Sequence, residues 1–130
     1  MNAKELHQLI AQTETHIECW KQFSHFLGVA REKKFGAVDE THFLELKSLI
    51  VQDLEAIFAS IEAASPSKEE ILSLIGHAAS LRYLSELSGG ELRALENHWH
   101  KIYIAWHSIL GQLKVKQRAE HSKSLFSWKS

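Results

Sequence analysis

The sequence predicts an all-α protein: an antiparallel up-down-up-down four-helix bundle with a projecting basic C-terminal tail. Three observations carry that expectation. Apolar residues recur at alternating spacings of three and four along almost the whole chain, the period of an amphipathic helix. One proline and six glycines in 130 residues leave long uninterrupted stretches. The breaks in the pattern are short, and short connections between helices of similar length make neighbours antiparallel.

The first helix is predicted over about residues 3–33. Its stripe runs through Leu6, Ile10, Thr13, Ile17, Trp20, Ser24 and Leu27, widened by Leu9, His16, Phe23 and Ala30. Asn2 and Glu5 have capping-box spacing at its start. Lys33-Lys34 suits the negative end of the helix dipole, and Gly36 supplies a break. Asp39 reads as the N-cap of a second helix, whose stripe is Phe43, Leu46, Leu49, Ile50, Leu54, Ile57 and Ile61. Leu44, Val51 and Phe58 widen that arc beyond what one packed face needs. Ser65 is expected to cap a third helix, with Pro66 at its first position and Ile71, Leu74, Ile75, Ala78 and Leu81 carrying it to about residue 87. Ser88-Gly89-Gly90 is read as a turn. The fourth helix has the cleanest repeat, Leu92, Leu95, Trp99, Ile102, Trp106, Ile109 and Leu113. Its bundle part is expected to end near residue 113, giving one domain over 1–113 and a C-terminal extension over 114–130.

Composition narrows the function classes. Forty-five per cent of the residues are apolar and 24% charged, the balance of a globular domain. The single cysteine, Cys19, excludes an intramolecular disulfide framework and a cysteine-based zinc finger. The chain has no run of 18 apolar residues, and its start shows no apolar segment of the secretory kind, so a reduced, cytoplasmic protein is expected. A net charge of −1 argues against a nucleic-acid partner. That charge is uneven: residues 39–96 carry eleven acids against four bases, whereas residues 97–130 carry six bases against one acid. An acidic middle and a basic end can attract each other between subunits.

Nine histidines invite a metal reading, since imidazole is the commonest metal ligand. Neither Glu-x-x-His nor His-x-x-x-His, the spacings that put two ligands on one helix face, occurs. Levelling the predicted antiparallel helices nevertheless places His16, Asp53, His77 and His98 in one slab near mid-bundle, with Arg82 about a turn away. Three imidazoles and a carboxylate would suit a divalent metal such as zinc, or a His–Asp pair would serve proton transfer. The competing reading is a buried acid held by Arg82 or by a histidine, which fixes helix register and does no chemistry. No cofactor is expected on that second reading.

Leu87-Ser88-Gly89-Gly90-Glu91 resembles the signature loop of ABC-transporter ATPases. No phosphate-binding G-x-x-x-x-G-K-[ST] accompanies it, and an all-helical chain lacks the strand–loop–helix unit that would present one. Trp20, Trp99 and Trp106 fall on core stripes and read as packing. The tail carries Lys114, Lys116, Arg118, Lys123 and Lys129, with Phe126 and Trp128 near its end. Aromatics flanked by bases suit a partner's groove better than a membrane surface, and the competing reading is a tail that folds back over the bundle end. The expectation is therefore a non-catalytic module that binds protein, in the first place a second copy of itself. Leu44, Val51, Phe58, Phe126 and Trp128 are its candidate contacts. A metal-dependent bundle built on His16, Asp53, His77 and His98 is the alternative.

Overall fold

The computed structural model describes the backbone of residues 1–61 and 66–129, and side chains within that range up to residue 123. Five helices form it: α1 (Ala3–Glu32), α2 (Ala37–Phe58), α3 (Lys68–His77), α4 (Leu81–Glu86) and α5 (Gly89–Lys129). The described residues contain no strand. No helix among them is long and apolar enough to cross a membrane.

Helix α1 starts where Asn2 accepts the Glu5 backbone N–H at 2.8 Å, so one of the first-turn donors is satisfied. It stops at Lys33, whose φ of 60° is left-handed and whose N–H reaches the Ala30 carbonyl. Gly36, not Asp39, is the N-cap of α2. Asp39 sits three residues inside, where its carboxylate accepts the Gly36 N–H at 2.9 Å. An acid in the first helical turn also suits the dipole, which explains how the same residue passes for a cap in the sequence.

The expected third helix is two. Residues 78–80 break it, with Ala78 at φ −88°, ψ 63°, outside the helical region. Side chains of α2 hold that break. Lys47 Nζ donates to the Ala79 carbonyl at 3.2 Å, and the Glu40 carboxylate accepts the N–H groups of Leu81 and Arg82 at 3.0 and 2.8 Å. Ser80 completes the start of α4 by accepting the Tyr83 N–H at 3.0 Å. An apolar stripe continues across the interruption because Ala78 and Leu81 are both buried. Helix α3 is capped by Ser67, which accepts the Glu70 N–H at 3.1 Å; Ser65 lies outside the described residues. Ser88 accepts the Glu91 N–H at 3.1 Å, so Gly89 and Gly90 open α5 instead of closing the helix before it.

Helix α1 packs against α2, α4 and α5, and its buried side chains form the centre of one core. Trp20, Phe23, Phe43 and Trp106 are its largest fully buried members. Helix α5 has 41 residues, about 60 Å, and runs without a break through residue 114. Ala3, Leu6 and His7 share a groove with Gln117, Arg118 and His121, so α5 stays alongside the start of α1 well past residue 113.

Candidate functional site

Helical spacing alone brings His16 and Trp20 together, since residues four apart share a face. Both are fully buried. The Trp20 indole N–H donates to His16 Nε2 at 3.0 Å. That bond requires a lone pair on Nε2, so the neutral ring carries its proton on Nδ1. Nδ1 faces α2, where Asp53 Oδ2 stands 3.8 Å away, too far for a direct hydrogen bond. Trp106 of α5 closes the third side, its ring edge-on to the imidazole at 4.6 Å between centroids. Thr13 turns its hydroxyl back to the Leu9 carbonyl at 2.8 Å. Trp99 donates to the Trp20 carbonyl at 2.8 Å, tying α5 to the same turn of α1.

The electrostatics follow from this enclosure. Burial lowers the His16 pKa to about 4. The Trp20 bond acts in the same direction, because protonating Nε2 would set two donors face to face. Burial raises Asp53, whose side chain is 29% exposed at the mouth of the pair. A pocket of about 260 Å³ opens beside it, lined also by Ala11, Gln12, Thr15, Ala56 and Ile57. The Cys19 thiol is raised by burial first, then by Asp53 and Glu18, so it stays protonated and a poor nucleophile.

Of the four residues placed in one slab by sequence, the structure brings His16 and Asp53 together. His77 is exposed at the end of α3, where its Nδ1 lies 2.8 Å from the Ser73 carbonyl. His98 is half-buried on α5. Among the described residues, no three His, Cys, Asp or Glu side chains stand close enough to share a metal ion. The pair that does form has the wrong tautomer for ligation, since the nitrogen facing Asp53 carries a proton. Arg82 does not reach Asp53: it is exposed and pairs with Glu86 at 3.5 Å. The break at 78–80 resets the facing of α4 relative to α3, which a continuous-helix projection misses.

The candidate contact residues divide similarly. Leu44 is exposed on α2, beside a shallow groove formed with Thr41, Glu45, Ser48, Leu49 and Gln52. Val51 and Phe58 are half-buried against the core, with Phe58 edge-on to Trp106 at 5.7 Å. The side chains of Phe126 and Trp128 lie outside the described residues. Sequence reading passed over the contacts of Glu40 and the exposure of Val38, Ile104 and Val115. Glu40 gives no periodic signal, and the other three are single apolar residues on polar faces, visible in the pattern only once the core stripe is subtracted. Compared with known protein families, curated proteins and solved structures, the chain gives no significant match.

Proposed function

We propose that this protein is a non-catalytic interaction module that self-assembles through apolar helix faces. In this reading it is an antiparallel up-down-up-down bundle whose third arm is α3 and α4 together, acting in a reducing, cytoplasmic setting that suits a buried thiol. The observation that supports it best is the outer face of α2: Leu44 and Leu49 are 49% and 44% exposed there, beside the Glu45 carboxylate. Large apolar side chains grouped around a groove, with charge at the rim, are the composition of a protein-binding patch. The chemistry of the interior favours the same class. His16 offers no basic nitrogen to a substrate, because Nε2 is taken by Trp20 and Nδ1 bears the proton.

Partner choice follows from charge. Helix α2 carries five acids against one lysine, and α5 from residue 97 onward is strongly basic, so a second copy supplies the complementary surface. Light scattering on the purified protein is expected to give a mass above that of one chain. Leu49→Lys and Leu44→Lys lie on the surface and should leave a folded, helical protein of lower mass. A wild-type mass of one chain at every concentration, or variants with unchanged mass, overturns the reading. Val51→Lys is a poorer probe, since Val51 is packed against the core and its loss would also cost stability.

A further inference from the structure

Two helix faces outside the core carry the same unusual pattern. On α2, Val38 and Leu49 are 67% and 44% exposed and eleven residues apart. On α5, Ile104 and Val115 are 54% and 61% exposed and also eleven residues apart. Eleven residues are close to three helical turns, so each pair lies on one line along its helix with about 16 Å between its members. Scattered apolar residues on a surface are ordinary. Two pairs at equal spacing on two helices are less so, and their surroundings carry opposite charge.

Counted at 100° per residue, the face of α5 that holds Ile104 and Val115 also holds Arg93, Lys101 and Arg118, all exposed, and no acid. Between its apolar residues stand Ser108 and Gly111, small enough to let another helix approach closely. The face of α2 that holds Val38 and Leu49 has Glu45 between them and no lysine or arginine. The lysine of α2, Lys47, turns away from it and donates to the Ala79 carbonyl. His42 and Gln52, both exposed, lie on that side.

We infer that the α5 face built on Ile104 and Val115 is the partner surface for the α2 face built on Val38 and Leu49 of a second copy. The apolar pairs meet at matched spacing, and the cations of α5 lie over the acidic helix. This rests on the self-assembly reading and names the surfaces that carry it. The two faces belong to different helices, so each copy offers one surface and receives on another.

A charge-exchange experiment tests it. Lys101→Glu with Arg118→Glu reverses the α5 face, and Glu45→Lys with Gln52→Lys reverses the α2 face. All four positions are exposed, and circular dichroism checks that both variants keep their helix content. Sedimentation velocity across a concentration series should show each variant alone associating about tenfold more weakly than wild type, since like charges then face each other. An equimolar mixture should recover association, because the reversed face of one variant now complements the reversed face of the other. If wild type associates but neither reversal weakens it, or the mixture stays apart, this pairing is wrong while self-assembly stands. If wild type sediments as a single chain throughout, the self-assembly reading fails and this inference with it.

Discussion

His16 shows how one buried ring carries a pH dependence. Its pKa of about 4 in the folded chain lies below the ordinary 6.5. Between those values the unfolded chain takes up a proton that the native ring refuses. Stability therefore falls as the pH drops through that window, by up to about 3 kcal/mol for a shift of this size. Asp53 acts in the opposite sense in acid, since burial raises its pKa and the native carboxyl protonates more readily than the unfolded one. The urea midpoint is expected to be lower at pH 5 than at pH 7, and His16→Gln, which keeps an acceptor for Trp20, should flatten that slope. A variant with the wild-type slope would assign the effect to another group. The fully buried Trp20 and Trp106 give a second comparison. The Trp20 indole N–H is bonded to His16, whereas Trp106 Nε1 has no acceptor among the described residues. Both Trp→Phe changes shrink the core, but only the change at Trp20 removes a hydrogen bond. Trp20→Phe is expected to cost about 1 kcal/mol more than Trp106→Phe in denaturant unfolding.

Within the helices, two positions work against or beyond local preference. Lys33 closes α1 in a left-handed conformation that a side chain with a Cβ adopts at a cost, and glycine adopts freely. Lys33→Gly should raise stability by about 0.5–1 kcal/mol, read as an increase in the denaturation midpoint with an unchanged slope. Glu40 does more than its exposed sequence context suggests. Its carboxylate accepts two N–H groups at the start of α4, a helix of six residues that cannot stand on its own propensity. Glu40→Ala leaves those donors without their charged acceptor and is expected to cost about 2 kcal/mol. Hydrogen exchange should accelerate across residues 78–88 in that variant while α1 stays protected. Equal protection throughout would show that Ser80 alone holds the α4 start.

Across the chain, helix α1 is the hub on which α2, α4 and α5 pack, and α5 extends the seam along it to residue 121. This arrangement leaves the acidic α2 and the basic second half of α5 each with one face turned outward. Exposed charges about 10 Å apart are screened at ordinary salt. The proposed self-association through those faces should weaken as ionic strength rises, with the sedimentation coefficient falling toward that of a single chain. An association that strengthens with salt would assign it to the apolar side chains alone.

The helical class, the stripe of α1, the clean repeat of α5 and the core positions of Trp20 and Trp106 were all legible in the residues. Each depends on periodicity, which is local and needs no knowledge of neighbours. The Asn2 cap was legible too, for the same reason. What the sequence could not hold was the break at residues 78–80. Ala78, Ala79 and Ser80 are tolerable inside a helix, and it is Lys47 and Glu40, more than thirty residues away, that satisfy the backbone groups freed there. That break in turn decided that Arg82 faces solvent and not Asp53. Levelling had put His16 and Asp53 at one height, but their 3.8 Å approach required the packing of α2 on α1, and the state of the ring required Trp20. Period is written into the chain one residue at a time, whereas the partner of a buried polar atom exists only after the helices have met.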